Sequence, residues 1–188
     1  MTGLDLAKDA LIEVAVLVTD ADLVIQGQGL DLIIATDADK LAAMSDFVRD
    51  MHTKSGLLNE VRSSSLSMEQ AEALIMDYVT DHVPVAGKAP LAGNTIGTDR
   101  AFLARDMPTL EGYLHYRNID VSTIKELARR WYPDAFHRAP KKQSHHRALE
   151  DIQESIEELA YYRKTIFGPS SSPGHETLIT TGEDQLLA

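Results

Sequence analysis

LIEVAVLVTDADLVIQGQGLDLIIAT, residues 11–36, is the stretch on which the fold turns. Leu11–Thr19 is dense in β-branched residues, which suit a pleated, half-buried surface. Leu23–Thr36 contains a second such stretch. Asp20-Ala21-Asp22 lies between them with turn chemistry, so the segment predicts a β-hairpin. Beyond it, Leu41–His52 carries a weaker helical pattern (Leu41, Met44, Phe47, Val48, Met51). Ser67-Met68-Glu69-Gln70 matches a capping box, in which the Ser hydroxyl and the Gln amide each satisfy a backbone N–H. The helix it opens places Ala71, Leu74, Ile75, Tyr78 and Val79 on one face and ends before Pro84. Pro90–Asn94 reads as a short buried strand entering a turn, and a helix with Phe102 and Leu103 follows from Thr98 or Asp99. Asn118–Val121 is a short strand, after which Ser122 caps a helix over Thr123–Trp131. Pro140–Ser144 is a loop. A last helix runs from Arg147 to Phe167, with Leu149, Ile152, Ile156, Leu159 and Ala160 inward. Strands come first and then alternate with helices, the pattern of an α/β fold with a mixed sheet flanked by helices.

The chain has 188 residues, a length typical of one domain. Gly168-Pro169-Ser170-Ser171-Ser172-Pro173-Gly174 is a helix stop followed by polar punctuation. The expected division is therefore a folded domain over 1–167 and a disordered C-terminal tail over 168–188. Lys and Arg number 18 against 29 Asp and Glu, a formal net charge of −11. The tail holds Glu176, Glu183 and Asp184 and no base, which leaves 26 acids against 18 bases in the folded part. Such a balance argues against a partner that is a long nucleic acid, because that affinity comes mainly from Lys and Arg neutralising phosphates. It leaves room for a short nucleotide held through metal ions. There is no cysteine, which removes disulfides, thiolate zinc sites and cysteine nucleophiles. No apolar run reaches the ~20 residues of a membrane span and no signal peptide opens the chain, so the expected location is cytoplasmic and away from membranes.

Two segments could carry chemistry. In Gly93-Asn94-Thr95-Ile96-Gly97-Thr98-Asp99 a buried strand runs into a tight turn, with an acid at the start of the next helix. An acid there ordinarily complements the helix dipole and caps backbone N–H groups. In His145-His146-Arg147-Ala148-Leu149-Glu150-Asp151 the geometry depends on where the helix begins. Were His146 inside it, five residues would turn it about 140° from Asp151. If His146 precedes the helix, both side chains can reach one pocket, the His as a general base beside a metal-bound water and Asp151 as a metal ligand. Read alone, the segment is better taken as two loop histidines, His145 and His146, and a solvated N-terminal acid, Asp151. There is no H-x3-H, HExxH, Walker A or GxGxxG pattern.

Taken together, MTGLD (1–5), IEVAVLVTDADL (12–23), MHTKSGL (51–57), GNTIGTDRAFL (93–103), HYRNIDVSTIKELARRW (115–131) and HRALEDIQESIEELAYYR (146–163) resemble the oligoribonucleases. These are members of the DEDDh group of 3′-to-5′ exonucleases, with a ribonuclease H-like fold. The resemblance covers residues 1 to about 165. It implies a homodimeric hydrolase that removes nucleotides from very short RNAs, from dinucleotides to about pentanucleotides, with two divalent cations, Mg²⁺ or Mn²⁺. It implies Asp99 and Asp151 as metal ligands and His146 as general base, with His145 a bystander. It places Thr2 and Gly3 beside the 3′-terminal sugar and Leu4 as a wedge against a base. Phe47 falls where the family commonly stacks a Trp on the 3′ base. His52 and Thr95 match positions near sugar and phosphate. Tyr116 and Arg117 match residues that reach the partner protomer's substrate.

The resemblance also marks a departure. The family's first motif, Asp-x-Glu at the end of a central strand, would lie immediately ahead of Met1, and no Asp-x-Glu occurs anywhere in the chain. The first central strand and two of four metal-binding carboxylates are thus expected to be missing. A start assigned at an internal Met of a longer protein accounts for this. A catalytically dead remnant that still binds nucleotides is the alternative.

Overall fold

The computed structural model describes residues 1–140 and 147–168. The hairpin forms as expected: β1 (Glu13–Thr19) pairs antiparallel with β2 (Ile25–Ile33). The register slips between Val16, opposite Leu30, and Val18, opposite Gln26, so β2 carries two extra residues there. Gly27 and Gly29 take left-handed φ values of 73° and 75° in that bulge, where a side chain would be strained. The Tyr78 hydroxyl fills it, accepting from the Val18 N–H (3.3 Å) and donating to the Gln26 carbonyl (2.9 Å).

The weak pattern over 41–52 resolves into two helices, α1 (Ala38–Ala42) and α2 (Asp46–Lys54), followed by α3 (Leu57–Ser63). The capping box at Ser67 and Gln70 is formed in full at the start of α4 (Met68–His82). Leu74 departs from the expected face of α4: it is exposed, while Ala71, Ile75 and Val79 are buried. A parallel ladder then joins β3 (Pro90–Gly93) to β4 (His115–Asp120), with α5 (Ile96–Asp106) and α6 (Pro108–Tyr113) between them. Then come α7 (Val121–Trp131), α8 (Pro133–Arg138), α9 (Ala148–Tyr162) and one π-helical turn over Arg163–Phe167. The mixed α/β class holds, with antiparallel and parallel pairing both present. Among the described residues the ladders form two two-stranded sheets rather than one.

One apolar cluster spans both sheets. Leu11 and Ile34 of the hairpin meet Ala71, Ile75 and Val79 of α4 and Phe102 and Leu103 of α5, with Val14, Val16 and Leu91 packed against them. A second gathers Ile12, Leu41, Met44, Leu57, Leu58 and Val61 under α1–α3. Val14 and Val16 point to α4. By strand alternation Glu13 points the other way, where α9 lies against β1, β2 and β3. The hairpin is thus held between α4 and α9.

The inward face of α9 differs from expectation. Ser155, Glu158 and Tyr162 are its buried residues and Ala160 is exposed. Hydrophobic periodicity selects the half-buried Leu149, Ile152, Ile156 and Leu159, but the most enclosed stripe is polar because it meets polar groups from β3 and α7. Two starts also shift. β4 begins at His115, not Asn118, and Asp120 rather than Ser122 caps α7, its carboxylate accepting the Ser122 N–H (3.1 Å) and the Thr123 hydroxyl (2.8 Å). The expected loop over 140–144 and the expected tail over 168–188 lie, apart from Pro140 and Gly168, outside the described residues.

Candidate active site

The helix that carries Asp99 begins two to three residues earlier than its sequence pattern indicates. Thr95 adopts φ 56° and ψ 34°, a left-handed conformation uncommon for a branched residue, and α5 starts at Ile96. Neighbouring groups hold this turn. The Thr95 N–H donates to Asp120 (2.9 Å), and its hydroxyl lies 3.1 Å from that of Ser122. Ser122 donates to the Asn94 side-chain carbonyl (3.1 Å), while the Asn94 amide donates to Ser155 (2.8 Å) and Glu158 (3.4 Å) on α9. Glu158, 2% exposed, pairs with Lys125 of α7 at 3.0 Å. Asn94 therefore ties the turn before α5 to both α7 and α9.

Asp99 sits in the first turn of α5, half-buried. Burial pushes its carboxyl above the ordinary range, and its own backbone N–H and the Met1 amine oppose that shift. The Met1 amine is itself lowered by burial, against the pull of Glu13, Asp99 and Asp9. Asp151 occupies the first turn of α9, also half-buried. Its carbonyl accepts the Ser155 hydroxyl (2.7 Å), so the Asn94–Ser155 contact lies one turn from it. The spacing argument required the helix to begin after position 146, and α9 begins at Ala148. His145 and His146 lie outside the described residues.

Arg147, directly ahead of α9, fastens that end of the helix. Its guanidinium binds Glu13 of β1 (2.8 Å) and makes a two-pronged contact with Glu60 of α3 (3.0 and 2.8 Å). Asp31 of β2 is 3.9 Å away.

The first residues form a tight loop. Thr2 is buried and Gly3 half-buried, while Leu4 is 77% exposed. His52 of α2 is buried, with Nε2 2.9 Å from the Met1 carbonyl, so the structure brings it to Thr2 and Gly3. Phe47, one and a half turns earlier on α2, is 77% exposed. Tyr116 (73% exposed) and Arg117 stand on β4. The Arg117 guanidinium lies 5.3 Å from the Tyr116 ring, which stacks on His115 at 4.5 Å. Arg100, next to Asp99, binds Glu111, the His115 carbonyl and the Asn118 side chain (2.7–2.9 Å), which anchors β4 to α5.

Sequence reasoning passed over Asn94, Arg100, Arg147 and Asp9, the last of which bonds the N-terminal loop. An Asn after Gly reads as turn punctuation and an Arg between charged residues as surface. Nothing local reveals the partners of Asn94 and Arg147, which lie 28 to 134 positions away.

Asp99 and Asp151 are hard oxygen donors, the type that Mg²⁺ and Mn²⁺ accept. Both carboxyl groups are half-buried at the first turn of a helix, and this pair of oxygen donors fits a divalent cation. Among the described residues no group of three or more His, Asp or Glu gathers at ligand spacing.

The exonuclease family profile (RNase T) matches residues 1–159. The oligoribonuclease of Cutibacterium acnes is 64% identical over 177 residues, 94% of this chain and 86% of that protein. That of Rhodococcus jostii is 55% identical over 184 residues, 98% and 92% of the two chains. That of Mycobacterium tuberculosis is 56% identical over 173 residues, 92% and 80%. The chain belongs to the oligoribonuclease family of exonucleases. No helix among the described residues is long and apolar enough to cross a membrane.

Proposed function

We propose that the protein is a cytoplasmic 3′-to-5′ exoribonuclease that hydrolyses short oligoribonucleotides, chiefly dinucleotides, to mononucleotides. The observation that carries this reading is the 64% identity to an oligoribonuclease over 94% of the chain, with Asp99 and Asp151 at helix starts joined through Asn94 and Ser155. Residues 1–167 are the exonuclease domain and 168–188 a tail outside the chemistry.

Asp99 and Asp151 would hold the two divalent cations, Mg²⁺ or Mn²⁺. The chemistry such ions supply when bound is ionisation of water and screening of phosphate charge. His146 takes a proton from the attacking water. The water oxygen bonds to phosphorus, the bond from phosphorus to the 3′ oxygen breaks, that oxygen takes up a proton from solvent to become a 3′-hydroxyl, and a nucleoside 5′-monophosphate is released. Thr2 and Gly3 face the terminal sugar, Leu4 and Phe47 hold bases by apolar contact and stacking, and His52 and Thr95 lie by sugar and phosphate. In a homodimer, Tyr116 and Arg117 close the partner's site around the 5′ end, which favours dinucleotides over longer RNA.

The test is Mn²⁺-dependent cleavage of a labelled RNA dinucleotide, by the 188-residue chain and by a version extended ahead of Met1 with a strand ending in Asp-x-Glu. The extended protein cuts the dinucleotide faster than a long strand, and His146→Ala lowers its rate by about 10²–10⁴. An extended protein that leaves the dinucleotide intact ends the reading, and a fully active His146→Ala removes His146 from its role.

A further inference from the structure

Asp9 has no part in the reading above, yet the N-terminal loop converges on it. One carboxylate oxygen accepts the Thr2 hydroxyl (3.1 Å) and the other accepts the Asp5 backbone N–H (2.8 Å). The Asp9 N–H donates to the Asp5 carbonyl (2.8 Å). The Thr2 hydroxyl oxygen in turn accepts the Ala10 N–H (2.9 Å), and the Thr2 N–H reaches the Ala10 carbonyl (2.9 Å). The backbone is thus tied on both sides of Gly3-Leu4, and the side chain it presents outward is the exposed Leu4. A lone exposed leucine is ordinary; one on a backbone bonded on both sides leaves the surface in a fixed direction.

Gly3 supplies an independent observation. A Cβ built there would meet the Asp9 carboxyl, with Cγ at 2.6 Å, Oδ1 at 2.8 Å and Oδ2 closer still. The backbone of Gly3 is not in the left-handed region, so its conformation alone admits alanine. Glycine is needed at position 3 because the carboxylate of Asp9 lies flat against it. That carboxylate cannot swing away without releasing Thr2 and Asp5.

We propose that Asp9 is a positioning residue for RNA binding: by packing on Gly3 and bonding Thr2 and Asp5, it presets the pose in which Leu4 meets a nucleobase. Ordering the loop before the ligand arrives removes an entropic cost from binding. The proposal rests on reading Thr2–Leu4 as an RNA contact.

The experiment is equilibrium binding of a fluorescently labelled, non-hydrolysable RNA dinucleotide in Mn²⁺, with melting temperature recorded for each variant. Asp9→Ala weakens binding by about tenfold, the scale of a lost pre-ordered loop. Gly3→Ala expels the same carboxylate and weakens binding to a similar extent, so Asp9→Ala/Gly3→Ala is within about twofold of either single variant. Asp9→Asn, which keeps one acceptor, falls between wild type and Asp9→Ala. Because Asp9 acts through Leu4, Asp9→Ala adds less than about twofold in a Leu4→Ala background. A purely structural Asp9 would lower the melting temperature and leave that coupling at zero. Wild-type affinity in Asp9→Ala overturns the proposal, as do Asp9→Ala and Gly3→Ala effects that multiply to about a hundredfold. Should Asp9→Ala fail to fold, Gly3→Ala and Asp9→Asn still carry the comparison. A wild-type protein that binds no dinucleotide ends the RNA reading of the loop itself, a result distinct from unchanged variants.

Discussion

The starts of α5 and α9 each carry one acid of the candidate site, and they are fixed by different chemistry. At α5 the holding groups are mostly neutral, Asn94, Ser122, Ser155 and the strained Thr95, with the carboxylates of Asp120 and Glu158 as acceptors. At α9 the cation Arg147 stands between Glu13 and Glu60 with Asp31 nearby. Directional hydrogen bonds set angle and distance and resist salt. A cation among three acids concentrates the cost of error in one side chain. The α5 end is set by shape and the α9 end by charge balance.

The largest effect expected from breaking this contrast is at Arg147. Arg147→Met leaves Glu13, almost fully buried, facing Asp31 and Glu60 without the guanidinium that pairs with it. Urea unfolding should show a loss of about 3 kcal/mol, the lower end for an orphaned buried charge because Arg147 is partly solvated. The pH dependence has a definite sign. Burial, followed by Glu13, already raises the Asp31 carboxyl above its ordinary range against the pull of Arg147. A raised acid costs stability when ionised, so the variant's deficit shrinks as pH falls through the folded-state pKa of Asp31. A deficit that grows on acidification would refute the charge-balance account.

Asn94→Ala comes next, at about 2 kcal/mol, because it strips partners from Ser122, Ser155 and Glu158 at once. Its cost should stay constant between about 0.05 and 0.5 M salt while that of Arg147→Met changes. Equal salt slopes would dissolve the contrast between the two helix starts.

The smallest effect is on exposed Glu126, where two arginines meet one carboxylate without joining separate elements. Hydrogen bonds from Arg129 and Arg130 pull its carboxyl down to about 2. A depressed acid favours the folded state above its unfolded pKa, and that gain fades as pH falls through about 2. NMR titration should find Glu126 ionised below ordinary glutamates, and Glu126→Gln should move the urea midpoint far less than Asn94→Ala does, because solvent screens an exposed pair. A midpoint shift as large as that of Asn94→Ala would mean that exposed charge matters here as much as enclosed polar contacts.

The parts of this architecture legible in sequence are those with a local cause. The capping box at Ser67 and Gln70 forms as read because its two bonds close within four residues. The hairpin follows from β-branched runs around Asp20–Asp22, with Asp20 itself accepting the Asp22 and Val24 N–H groups. The sequence pattern puts the start of α5 too late because Thr95 takes a left-handed backbone that Asp120 and Ser122, more than twenty positions on, stabilise. The face of α9 was misjudged because hydrophobic periodicity assumes an apolar neighbour, and here the neighbours are Asn94 and Lys125. Asp99 and Asp151 stand out in the sequence as acids at helix starts, but assigning both of them to metal rests on family likeness, since an acid in a first helical turn looks the same whether it caps or coordinates.

Tyr78 shows how far such distant control extends. Its hydroxyl occupies the mismatch between β1 and β2 and bonds both strands at once. A slip of one residue would turn Val14 and Val16 away from α4 and strip the phenol of both partners. The pairing of two neighbouring strands is therefore proofread by a helix sixty residues downstream of Val18, which ties completion of the hairpin to the docking of α4.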